Sequence, residues 1–390
     1  MGNLKLLDYI NLGYIWFKTY PSLRRVWSGN QGDSQNIRVN YGHDRVPGST
    51  EQVFGGLVKL QDLSQVYPQS LDSPNILYLV SSALPYFPVR LVRMAKKAGA
   101  AIVLNQNGVA YPGWYGEGYQ KENEGMAYVH SVADYVFYQS EFCAQSAEMF
   151  LGERRADQQS EILYNPVNTD VFRPLDNFAG RKATTILLSG SHWKSYRVFT
   201  AVDTLKMIVD SGADVSLKIA GRFCWRDDPG TAEKEVHDYA RSAGVADRVI
   251  LTGPYAQNDA PALMNSCTVL LHTKYNDPCP RLVVEAMACG LPVVYSATGG
   301  VAELVGESAG VGIPGPLDWD EDHPPKAEDL AQGILRVLEN LDDYSRAARL
   351  RAVGQFDVVH WIGRHQAVLN EILQLNNKMK SSDIHRMTGM

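Results

Sequence analysis

Residues 277–294 read Asp277-Pro-Cys-Pro-Arg281-Leu-Val-Val-Glu285-Ala-Met-Ala-Cys-Gly290-Leu-Pro-Val-Val294, and Thr298-Gly-Gly-Val-Ala-Glu303 follows three residues later. The pattern is strand, loop, helix, strand. The helix expected over Arg281–Cys289 is apolar nearly all round, which places it between a sheet and its neighbours. Glu285 stands in its middle. A buried carboxylate is unfavourable unless it accepts hydrogen bonds, so two readings stay open. Either a ligand hydroxyl supplies them from a cleft, or nearby backbone or a basic side chain does. Pro280 occupies the helix start, where its missing donor costs nothing, and leaves the Arg281 and Leu282 amides exposed at the positive end of the helix dipole. With the Arg281 charge added, a diphosphate fits there. Asp277, eight residues before Glu285, lies on the loop at the strand end and can accept from hydroxyls of a group attached to that phosphate.

The same rhythm extends in both directions. Downstream of Pro21, strands are expected at residues 36–41, 75–80, 101–104 and 135–139, with helices at residues 49–63 and 88–97. Residues 165–184 are turn-rich and polar and read as a linker. A second set follows, with strands at residues 186–189, 215–220, 249–252, 268–273 and 292–296 and helices between them. The expected architecture is α/β, with two Rossmann-like doubly wound parallel-sheet domains facing a cleft. The first covers residues 1–174 and the second 175–354. A helix over about 355–375 packs back on the first domain, and a disordered tail covers 376–390. In open parallel sheets ligands bind outside the carboxyl ends of the strands, so the chemistry belongs in those loops.

The 390 residues are 45% hydrophobic and 21% charged, and Asp plus Glu (43) exceed Lys plus Arg (37), so no basic footprint for nucleic acid exists. Five cysteines without CxxC spacing argue against a disulfide scaffold and a structural zinc site. No run of 18 apolar residues occurs, and the N-terminus lacks the order of a secretory signal, so a cytoplasmic protein is expected. Leu4, Leu7, Ile10, Tyr14 and Phe17 form a helical stripe with Lys5 and Lys18 near its edges. That stripe packs on its own domain or lies on the inner membrane surface.

The segment 277–303, together with Tyr164-Asn-Pro-Val-Asn-Thr-Asp-Val-Phe-Arg-Pro174, resembles the retaining glycosyltransferases of the two-domain GT-B fold, in particular the family 4 group with its acid-x7-acid motif. The resemblance implies a metal-independent transferase without a cofactor. It uses a nucleoside-diphosphate sugar as donor and a glycan, lipid-linked or small-molecule hydroxyl as acceptor. It implies that Glu285 holds the donor ribose, that Asp277 sits by the sugar hydroxyls, and that Arg281 and Leu282 hold the diphosphate. Gly190 opens the loop that carries the family's phosphate-binding cations, where Ser191 and Tyr196 replace the usual Arg and Lys; Lys194 and Arg197 are nearby substitutes. Arg222 and Tyr255 resemble phosphate and base contacts. Asn107 stands where the family has His, and an amide can hold a hydroxyl but cannot act as a base. The first acid is Asp rather than the usual Glu.

His43 or Arg45 after the first strand, and the aromatic loop 111–119, are further candidates for substrate contact. The run Asp318-Trp-Asp-Glu-Asp322 contains an Asp-x-Asp, yet its Pro-flanked position reads as a solvated charge run. The loop after Gly190 lacks P-loop spacing. His360 and His365 lack further ligands for a metal. Two alternatives share the fold: a catalytically weak module that binds a nucleotide sugar or a partner, and a nucleotide-sugar 2-epimerase.

Overall fold

A computed structural model describes residues 21–28, 36–48, 51, 55–175 and 184–388. The stripe from Leu4 to Phe17 lies outside the described residues. Two parallel sheets organise the chain. The first has the order β1(Val39–Asn40), β2(Ile76–Val80), β3(Ala101–Gln106), β4(Tyr135–Tyr138), β5(Gln159–Ile162). The second has β11(Gly310–Ile313), β10(Val293–Ser296), β9(Val269–His272), β6(Thr184–His192), β7(Val215–Phe223), β8(Val249–Gly253). Strands β2, β3, β9 and β10 are buried along their whole length, as strands covered by helices on both faces must be.

Three helices bear on the cleft. Helix α1(Gly56–Ser64) belongs to the first domain. Helix α2(Arg281–Ala288) follows β9, and its Val283, Val284, Ala286, Met287 and Ala288 are fully buried, as its all-round apolarity predicts. Helix α3(Val358–Thr388) returns to the first domain, where Trp361, Val368, Leu369 and Ile372 join Val39, Tyr41, Tyr78 and Phe137 in one core. The backbone stays helical to Thr388, which corrects the expectation of a disordered tail from residue 376. No Gly or Pro interrupts residues 364–388, and Asn376 Nδ2 donates to the Gly99 carbonyl at 2.9 Å.

The chain crosses between domains twice, and the crossings touch. Val167 N donates to Phe356 O at 2.8 Å and Val358 N to Val167 O at 2.9 Å. Thus the described part of the linker is fastened rather than free. A third connection corrects the reading of residues 318–322 as a solvated run. Trp319 inserts among Tyr111, Phe142 and Phe150 of the first domain, with ring centroids 5.0, 4.9 and 5.4 Å away. Asp318 accepts the Asp320 and Glu321 amides and faces His323 at 2.9 Å, while Asp322 takes Lys194 at 2.7 Å. Asp318 shapes the strap, because its Oδ1 satisfies two amides of a tight turn.

Three buried histidines contribute to the loss of stability in acid. Burial pushes His365 and His192 down to about 3 and His130 to about 4. Each is neutral when folded and takes up a proton on unfolding below its ordinary value of 6.5. Stability is therefore lost as pH falls from 6.5 toward those values. At pH 5 each costs about 2 kcal/mol relative to pH 7 or above. Urea unfolding at pH 7 and pH 5 checks this: the parent loses stability over the interval, and His365→Gln loses about 2 kcal/mol less of it.

Candidate functional site

Asp277 is held by close backbone approaches. Asn276 adopts a positive φ of 49°, Asp277 pairs with Gly299 in an isolated bridge, and Gly300 N donates to Asp277 O at 2.9 Å. A Cβ on Gly300 would stand 1.9 Å from Pro278 O, and one on Gly299 2.6 Å from Asp277 O. The Gly-Gly pair of the motif is thus what lets the loop carrying Asp277 fold against the next turn. Ser140 of the first domain donates to Pro278 O at 2.7 Å and fixes the same loop from the other side.

The Asp277 carboxylate is buried between a lysine and a histidine that burial keeps neutral. Its Oδ2 accepts from His272 Nε2 at 2.9 Å and its Oδ1 faces Lys274 Nζ at 3.1 Å. Burial alone would raise its pKa. The Lys274 ammonium and the His272 hydrogen bond outweigh that and hold it well below the usual carboxylate range. The ammonium also lies 5.0 Å from the centre of the Trp114 ring, a first-domain contact across the cleft. Arg197 lies buried in the same region, its Nη1 donating to Ser191 O at 2.7 Å and its Nε without a partner among the described residues.

A cavity of about 320 Å³ opens beside this loop, lined by Gly190, Arg222, Tyr255, Arg281, Leu282 and Glu285 of the second domain and by Gly55 and Val58 of the first. Six of the sequence-predicted site residues therefore meet in one place. Gly190 and Gly221 shape its floor, since a Cβ on Gly221 would stand 2.0 Å from Gly190 O. Tyr255 Oη lies 2.8 Å from Ser189 Oγ, and Arg222 Nη2 donates to Ser191 Oγ at 3.1 Å. Glu285 Oε1 accepts from Arg281 Nε at 3.0 Å, and Arg281 Nη1 donates to Asp62 Oδ2 at 2.8 Å on α1. Burial pushes the Glu285 carboxyl above its ordinary range, and Arg281 holds part of that rise back. Glu285 thus has a basic partner on its own helix and also lines the cavity.

Three predicted residues lie outside the cavity's lining: Asp277 on its loop, Lys194 and Asn107. Lys194 does not line the cavity; it donates to Asp322 and, at 2.8 Å, to Gly113 O. Asn107 ends the first-domain strand with its Oδ1 accepting from Gly108 N at 2.8 Å and its own N donating to Ser81 Oγ at 2.8 Å. A Cβ on Gly108 would touch Pro278 at 2.8 Å, so this strand end abuts the Asp277 loop. His43 faces Ala83 O and Arg45 pairs with Glu51, which leaves both on the first-domain rim. Tyr111 is a core residue, whereas Tyr115 is exposed. Sequence reasoning missed Asp62, His272, Lys274 and the Trp319 strap, because their partners are set by tertiary packing and no motif spacing marks them.

Comparison with known proteins places this geometry. Residues 177–351 match the family Glycosyl transferases group 1. The chain is 29% identical over 205 residues to the 2-deoxystreptamine glucosyltransferase of Streptomyces kanamyceticus, covering 51% of this chain and 46% of that protein. It is 34% identical over 110 residues to a D-inositol 3-phosphate glycosyltransferase of Stackebrandtia nassauensis, covering 26% and 25%. The chain spans about half or less of the length of these curated relatives. Its fold is similar to that of HepE from Anabaena, solved in complex with UDP-glucose, with a TM-score of 0.61, 22% identity, and coverage of 82% of this chain and 90% of that one. The chain thus has the GT-B fold and carries a group 1 glycosyltransferase domain. Among the described residues, no helix is long and apolar enough to cross a membrane.

The cationic setting of Asp277 has a direct consequence. Replacing Lys274 by Met removes the largest single influence that keeps the carboxylate ionised, so its pKa rises. Carboxyl carbon resonances followed through an acid titration are expected to show Asp277 protonating at higher pH in Lys274→Met than in the parent.

Proposed function

We propose that this chain is a retaining glycosyltransferase that moves a sugar from a nucleoside-diphosphate donor to a hydroxyl of a glycan, lipid-linked or small-molecule acceptor, without a metal ion. The observation that carries the reading is the cavity itself. It combines a carboxylate, Glu285, with an uncapped helix start and a glycine turn, within one domain whose sequence matches the transferase family. A nucleoside diphosphate presents the complementary groups in that order: ribose hydroxyls that donate, then phosphate oxygens that accept.

In this reading the ribose hydroxyls donate to Glu285, and the base lies toward Tyr255. The diphosphate takes the Arg281 and Leu282 amides at the positive end of α2 and the turn at Gly190, with Arg222 lining the same wall. Arg197, beneath Ser191, supplies the charge that Lys194 would otherwise bring. The bond from the anomeric carbon to the phosphate oxygen breaks with its electron pair passing to the phosphate. The acceptor hydroxyl then attacks from the same face, and its proton goes to the departing phosphate oxygen. Asp277, kept ionised by Lys274 and His272, supports the positive charge that develops on the sugar ring. Asn107 takes no proton in this scheme. Its Nδ2 serves as a donor toward the acceptor.

A second reading, a module that binds a nucleotide sugar without turning it over, is favoured by one observation: Lys194 is engaged by Asp322 rather than left for phosphate. Thermal stabilisation and slow hydrolysis measured with UDP-, GDP- and ADP-sugars separate the two. A transferase shows selective stabilisation by one donor class, lost in Glu285→Ala, and hydrolysis lowered about 100- to 1000-fold in Asp277→Asn. Stabilisation with no turnover in the parent, even with glycan and lipid-linked acceptors added, leaves the binding module, and no response to any nucleotide removes both.

A further inference from the structure

We propose that Asp62, in the first domain, positions the donor-binding carboxylate Glu285 of the second domain by acting through Arg281; this rests on the reading that Glu285 holds the donor ribose. Helix α1 brings Val58 and Asp62 to one face, four residues apart. Val58 forms part of the donor cavity wall, and Asp62 reaches across the cleft to Arg281. The three charged side chains are largely buried, with 17% of Asp62, 19% of Arg281 and 12% of Glu285 exposed.

The geometry of the guanidinium makes this arrangement consequential. Its planar fork matches a carboxylate through two parallel bonds. An Arg281 with Glu285 as its sole partner, four residues along the same helix, is free to clamp both oxygens and satisfy the acceptor capacity a ribose needs. Asp62 draws Nη1 the other way, so that only Nε reaches Glu285, at Oε1. Glu285 Oε2 has no hydrogen-bond partner among the described residues, and the side chain faces the cavity. Asp62 therefore keeps one oxygen of Glu285 open to the ligand. Its own carboxylate lines a neighbouring cavity of about 330 Å³ rather than the donor cavity, so shortening it removes no group from the donor cavity's lining.

The test measures ribose discrimination. UDP, GDP and ADP are titrated into the full chain by calorimetry, and the tightest is compared with its 2′,3′-dideoxy form in the parent, Asp62→Ala and Asp62→Asn. One charge-assisted hydrogen bond corresponds to a preference for the ribose form of about tenfold or more in the parent. Asp62→Ala reduces that preference to roughly threefold or less, and Asp62→Asn, which keeps an oxygen for Nη1, falls between. Loss of packing alone would weaken both ligands equally and leave the ratio unchanged. A full preference retained in both variants overturns the role of Asp62 while the role of Glu285 stands. A parent that binds no diphosphate, or binds the two forms equally, overturns the donor reading and this inference with it.

Discussion

A single guanidinium shared by two carboxylates, one from each domain, sets the geometry of the cleft. Arg281 sits at the first position of α2, Glu285 one turn along, and Asp62 across the gap. Each of these charges costs several kcal/mol to take out of water, and mutual pairing offsets that cost only where the hydrogen bonds are well made. The array therefore fixes how closely the first domain approaches the start of α2. The cavity beside α2 inherits its shape from that spacing, since one of its walls is α1.

At the other end of the cleft the same task falls to aromatic and backbone contacts, joined by two lysines. Trp319 is seated in an aromatic pocket of the first domain, and its carbonyl accepts from Gly113 N at 2.7 Å. A Cβ at Gly113 would stand 3.1 Å from this backbone, so the strap lies as close as a glycine permits. The strap also meets the loop before Asp277, where Asn276 Nδ2 donates to Asp318 O at 2.9 Å and Tyr275 Oη donates to Pro316 O at 2.6 Å. The loop that carries Asp277 is thereby held from both domains. Ionisation of Asp277 and its position share one cause, the packing of charged and aromatic groups at this junction.

The sequence was most readable where burial is complete. Helix α2 was placed to within a residue because its apolar surface admits no solvent face and Pro280 marks its start. Strands β5 and β11 were not anticipated: each lies at the edge of its sheet, and Gln-Ser-Glu-Ile and Gly-Val-Gly-Ile lack the apolar run of a central strand. Glu285, Gly190, Leu282, Arg222 and Tyr255 converge as their loops imply, because strand ends of one sheet must lie together. The cations were harder to read. Lys194 has its carboxylate 128 residues away and Arg281 has one 219 residues away, distances over which spacing carries no information about pairing. The acidic run 318–322 has the composition of a solvated loop, and only the pocket that receives Trp319 makes it a strap.

In the proposed function the cavity beside α2 is the donor site, with Glu285 on the ribose. A crystal structure of the protein with the nucleotide sugar that stabilises it most tests this directly. The account predicts the ribose hydroxyls within hydrogen-bond distance of Glu285 and the diphosphate over Gly190 and the Arg281 and Leu282 amides. A nucleotide bound away from this cavity, or lying in it with its ribose turned from Glu285, would contradict it.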